Sequence, residues 1–158
     1  MKYDITYSCG HTATIQLYGS TAERERKIAW MEHEGLCPDC YREWQQEENT
    51  RKAKEALEGI TLPELTGTPK QIAYAMSRRD EFISGFGADA VKHIYHLEHL
   101  EGEEAEKAQQ ELDAQGIDYE TAMAAIYNKH KKATACLHET DAGKLLDVLN
   151  SSKYPMKC

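Results

Sequence analysis

The alternation of apolar and polar side chains opens the chain as a hairpin. Tyr3, Ile5 and Tyr7 recur at every second position, as do Ala13, Ile15 and Leu17, and Ser8-Cys9-Gly10-His11 supplies the bend between them. The period then changes to that of a helix. Ser20 with Glu23 three residues on forms a capping box, predicting a helix over about 21–34 that offers Ile28, Trp30 and Met31 to a small core and stops at Gly35. A second helix is predicted from Tyr41 to Leu57. Its middle, 45–52, is polar all round, which is the pattern of a solvated connector. Residues 59–69 hold two prolines and two glycines and read as a linker.

The remainder reads as helical. Thr68, Pro69 and Gln71 mark a helix start by N-cap, first-position proline and capping box, and Ile72, Ala75, Met76, Phe82 and Ile83 follow at approximate helical spacing. Gly85-Phe86-Gly87 reads as a turn or kink. Helices are then predicted over 89–101, with Ile94, Leu97 and Leu100 on one stripe; over 103–115, ended by Gly116; from Asp118 to Lys129; and over 141–149. The stretch 103–114 has little apolar surface beyond Leu112 and its alanines, so it is expected outside the core. Together these elements predict an α+β, mostly α chain. A ββα unit with its connector helix occupies 1–58, the linker 59–69, and a bundle of four to five short helices 70–158.

Composition sharpens this frame without changing it. A chain of 158 residues, 41% hydrophobic and 29% charged, is that of a soluble globular protein. No apolar run approaches the roughly 20 residues that span a bilayer, and no basic-then-apolar leader stands at Met1. A cytoplasmic, reducing setting is expected, in which paired cysteines favour metal over disulfides.

Charge is more informative. From Glu98 to Glu120 there are nine acids and one base, Lys107, so that segment alone accounts for the net charge of -8. Its residues Glu98, Glu101, Glu103, Glu104, Glu106, Glu111 and Asp113 are the candidate partner-binding surface. The basic groups are few and interleaved: Arg24, Arg26 and Lys27 alternate with Glu23 and Glu25, and Lys129, Lys131 and Lys132 form the other cluster. A nucleic-acid binder normally carries a clustered basic footprint, which makes direct nucleic-acid binding the weaker expectation.

The strongest chemical signal is Cys9-Gly10-His11 followed by Cys37-Pro38-Asp39-Cys40. Two ligand-bearing turns at this spacing suit a four-coordinate structural Zn2+ site, with thiolates from Cys9, Cys37 and Cys40 and an imidazole nitrogen from His11. Four protein ligands leave no position open for a catalytic water. The alternative for Cys37 and Cys40, a thiol redox pair, requires a βαβ frame, and here a hairpin with its own Cys and His comes first. The unit is therefore expected to be zinc-ribbon or treble-clef-like. His93, His96 and His99, at steps of three on one helix, suggest a second metal site if Cys136, His138 or His130 join them across the bundle; the alternative is that they edge an apolar stripe. Cys158 is expected to be a free, mobile thiol.

Cys9-Gly10-His11, Cys37-Pro38-Asp39-Cys40-Tyr41 and Leu65-Thr66-Gly67 with Lys70-Gln71-Ile72 and Ala75 together resemble a group of small proteins from phages and integrative elements of Gram-positive bacteria. The resemblance covers about half the chain and implies a mobile-element origin. Where those proteins carry a basic, tryptophan-containing region after the Lys-Gln-Ile helix, this chain is acidic and has no tryptophan.

No phosphate-cradling glycine loop, nucleophile elbow or His-Glu-x-x-His pair is present, and a non-enzymatic protein is expected. Two readings follow. In the first, a mobile-element effector of the anti-CRISPR type uses its acidic segment to inhibit a host nucleic-acid-handling protein, such as a CRISPR effector nuclease. In the second, the zinc unit contacts DNA through Arg24, Arg26 and Lys27 and the bundle dimerises or regulates. A homodimer is compatible with either.

Overall fold

Lys2–Thr6 (β1) and Thr12–Gln16 (β2) pair antiparallel in a computed structural model of the chain, with Tyr3 opposite Ile15 and Ile5 opposite Ala13. Residues 1–151 are described; Cys158 lies outside them. Thr21–His33 (α1) and Pro38–Ala56 (α2) follow, then Pro69–Phe82 (α3), a π-helical turn over Ile83–Gly87, and Ala88–Glu98 (α4). Gly102–Gln115 (α5), Tyr119–Lys129 (α6), Lys131–His138 (α7) and Ala142–Leu149 (α8) complete the order. Among the described residues no helix is long and apolar enough to cross a membrane.

The chain divides into two compact units at Glu48/Asn49, inside α2. In the first, Ile5, Tyr7, Leu17 and Cys37 are the buried apolar side chains, and α1 buries none completely. Ser20 and Glu23 form the predicted capping box, and Ile28 and Met31, three apart on one face, are half-buried. Trp30 departs from expectation: it is 56% exposed. Two residues along a helix turn the side chain through about 200°, so Trp30 cannot share the face of Ile28.

The second unit has a continuous core. Ala53 of α2 and Leu57 just after it join Ala75, Ile83, Val91, Ile94, Cys136, Leu145 and Leu149. Residues 59–68 form no helix, but they belong to this unit: Ile60, Leu62 and Leu65 pack on the core. Thr66 donates its N–H to Thr140 O at 2.7 Å and accepts at O from Ala142 N at 2.9 Å, a parallel bridge that sets the starts of α3 and α8 side by side.

The expected kink at 85–87 is instead a helical turn of wider pitch, which carries α3 into α4 without a break. The Phe82 ring explains it. A Cβ on buried Gly87 would stand 2.2 Å from that ring, so the extra residue of the π turn and a bare α-carbon together make room for the side chain. The six α-helices α3–α8 exceed the four to five expected. The one not foreseen is α7, which brings Ala133, Cys136 and Leu137 into the core although Lys131 and Lys132 give its start a polar appearance.

Helix α5 buries no residue: Ala105, Ala108 and Leu112 are partly covered, and its remaining residues are exposed, as expected. It ends in a Schellman turn: Ile117 N–H reaches Leu112 O at 3.0 Å and Gly116 N–H reaches Asp113 O at 3.1 Å. Gly116 sits at φ 69, the left-handed conformation that this closure needs.

Candidate metal centre

The β1–β2 turn is built to present two donors. Gly10 takes φ 82, and the bonds Gly10 N–H to Tyr7 O (2.8 Å) and Tyr7 N–H to His11 O (2.9 Å) fold the chain so that Cys9 and His11 stand on the same side. Ser8 fastens this turn to the next one: its N–H and its hydroxyl both donate to Gly35 O, at 3.0 and 2.9 Å. The second pair sits on a helix start. Pro38 occupies the first position of α2, and Cys37, just before it, accepts the Cys40 N–H at Sγ (3.4 Å) in the way an N-cap side chain does.

These two turns bring Cys9, His11, Cys37 and Cys40 together, with all four ligand atoms within 4.8 Å of one another. The His11 Nδ1 lies 3.3 Å from Cys40 Sγ and 3.6 Å from Cys37 Sγ, and Cys37 N–H points at Cys9 Sγ from 3.4 Å. Backbone amides aimed at sulfur favour thiolate over thiol. The Cys37 and His11 amides pull the Cys9 pKa down to about 6. Cys40 moves the other way, to about 12, first because it shares a hydrogen bond with the Cys37 thiol and then through desolvation and its sulfur neighbours. Three sulfurs in one pocket resist triple ionisation unless a cation offsets the charge. The cluster can therefore hold a metal ion, and holding one would resolve its electrostatic conflict.

No βαβ unit surrounds Cys37 and Cys40, since among the described residues the sheet has only β1 and β2. The histidines of α4 do not assemble a second cluster: among the described residues the metal-competent group is the one at Cys9. His99 Nδ1 lies 2.8 Å from Tyr95 O and stacks on that ring, while His96 faces Glu104 at 3.6 Å. Cys136 is fully buried in the helical core, and burial pushes its thiol up to about 12.

Of the acidic residues, Glu101, Glu103, Glu104, Glu106, Glu111 and Asp113 are exposed. Glu98 faces inward: its side chain is 14% exposed, and Oε1 accepts from Tyr127 OH at 2.6 Å and lies 2.6 Å from His138 Nε2. The sequence gives no local signal for this group, whose members lie 29 and 40 residues from Glu98. The chain matches no protein-family model, no curated protein and no solved structure with which it was compared.

Proposed function

We propose that this chain is a non-enzymatic, zinc-stapled binding protein of a phage or mobile element. Its acidic helix α5 occupies a basic, nucleic-acid-binding surface of a host defence protein in the cytoplasm, in the manner of an anti-CRISPR nuclease inhibitor. The observation that carries the reading is the placement of α5. Glu103 to Asp113 spans about 15 Å of helix and presents five exposed carboxylates against Lys107 alone. That is about one negative charge per 3–4 Å, close to the spacing of phosphates along one nucleic-acid strand. Glu103 and Glu106, three residues apart, repel, and complementary charge on a partner would relieve that local cost.

Zinc as the metal is supported by ligand type and spacing. With Zn–S of about 2.3 Å and Zn–N of about 2.0 Å, the sulfur-to-nitrogen edge of a tetrahedron is about 3.5 Å, beside 3.3 and 3.6 Å here. Two knuckles closing on one ion, the second at a helix start, suit a zinc-ribbon or treble-clef-like unit. The ion's role is to hold a unit with four buried apolar side chains, and catalysis is assigned to none of its ligands.

The test is capture of a basic nuclease from the host, with competition by DNA. Reversing Glu103, Glu104 and Glu106 to lysine is expected to abolish capture while the fold persists, since all three are exposed. Capture retained by the triple variant, or indifference to added DNA, would sink the reading.

A further inference from the structure

On helix α1 the charges that alternate in sequence are sorted in space. With Glu23 as origin and 100° per residue, Arg26, Lys27 and Trp30 fall within about 60° of it, whereas Glu25 and Glu32 fall about 180° away. Glu23, Arg26, Lys27 and Trp30 line a surface groove of about 290 Å³. The Glu23 carboxylate is already engaged at the cap, where Oε2 accepts from Ser20 N at 2.8 Å and from Ser20 Oγ at 2.9 Å. Arg24 is turned elsewhere, to Gly19 O at 2.7 Å and Thr21 Oγ1 at 3.2 Å. The groove is lined by the largely exposed Trp30 indole and by the stems of Arg26 and Lys27. Arg26 donates Nε to Ala22 O at 3.3 Å, and the groove's single acid is held in an internal contact.

We infer that this groove binds a single-stranded nucleic acid, one base stacking on Trp30 and the flanking phosphates meeting Arg26 and Lys27. Charge selects the occupant. A duplex presents phosphates along a broad face and needs an extended basic footprint, but residues 1–48 carry nine acids and five bases. A single strand needs less, because stacking on an aromatic ring contributes affinity that does not depend on charge and tolerates any base. An acidic peptide would engage the two cations and leave the indole unused. This inference concerns the metal unit alone and does not depend on the acidic-helix reading.

The test is fluorescence anisotropy of a labelled dT15 oligonucleotide with metal-loaded full-length protein across a salt series. Trp30→Ala is expected to weaken binding about 5- to 150-fold. The double variant Arg26→Ala/Lys27→Ala is expected to reduce the slope of log K against log salt by about 1.4, two phosphates' worth. Trp44→Ala, at the other exposed tryptophan, is expected to bind as the parent does. Metal content of each variant controls for folding, and the salt slope keeps the test valid if Trp30→Ala misfolds. No binding at low salt, an equal loss in Trp44→Ala, an unchanged salt slope, or equal competition by poly-glutamate would overturn the inference.

Discussion

His138 Nε2 lies 2.6 Å from Glu98 Oε1, joining the end of α7 to the end of α4 across forty residues of sequence. The same oxygen accepts the Tyr127 hydroxyl from α6, so one nearly buried carboxylate ties three helices together. Burial, and then the hydrogen bond to Glu98 and its charge, raise the Tyr127 pKa from 10.0 to about 12. A raised pKa in the folded state means that this contribution is complete below pH 10 and is lost as pH rises towards 12. Tyr127→Phe is expected to cost about 1.5–3 kcal/mol at pH 7, because it removes a hydrogen bond to a charged group. Urea midpoints of parent and variant should converge above pH 10; a gap that stays constant would refute the linkage.

Helix α6 begins at Asp118, whose carboxylate accepts from Thr121 Oγ1 at 2.7 Å and Thr121 N at 2.9 Å, and these bonds hold its pKa below the usual carboxylate value. A depressed pKa places the stabilisation above the ordinary value of 3.8 and removes it as pH falls through the folded one. Asp118→Ala is expected to lower the melting temperature at pH 7. Asp118→Asn, which still caps, should nearly match the parent there and lack the acid-dependent part of the loss. Thermal melts followed by circular dichroism at neutral and acid pH check both.

Metal analysis of purified protein should find one ion per chain bound at Cys9, His11, Cys37 and Cys40. Cys37→Ser, or a strong chelator, is expected to remove the ion and collapse the near-ultraviolet signal of Trp30 and Trp44, while most helical signal survives because the second unit has its own core. Release should grow as pH falls, since thiolates must take up protons. Metal-free protein with unchanged tryptophan signals would contradict the assignment.

Gly87→Ala is expected to destabilise by about 1–3 kcal/mol through overpacking against Phe82. Combining it with Phe82→Leu should recover part of that loss, because the two residues compete for the same space. Additive effects in denaturant melts would show that the π turn has another origin.

The sequence made local relationships legible and distant ones not. The four residues that can hold a metal sit in two turns whose spacing is set by knuckle geometry, so residues two and three apart were enough to identify the group. Both capping boxes, Ser20 with Glu23 and Thr68 with Gln71, were legible for the same reason. Trp30 reads as a core residue by type, while its angle from Ile28 puts it on the solvent side. The π turn was hidden because Gly85 and Gly87 signal a break in sequence, whereas packing of Phe82 converts them into continuous helix. Helix α7 was too short for periodicity to declare it, and Glu98 looked like part of an acidic surface until Tyr127 and His138 folded over it.

The two capping boxes share a geometry and differ in chemistry. In α3 the reciprocal acceptor is the neutral amide of Gln71, indifferent to protons; in α1 it is the carboxylate of Glu23, held below its ordinary pKa first by the Ser20 backbone amide. Acid therefore attacks the first unit at the start of α1 and at its thiolate donors, and in the second unit it reaches the Asp118 cap of α6 but leaves the start of α3 untouched. Under progressive acidification the chain should come apart in sequence, the metal-bearing end first and the helical unit later.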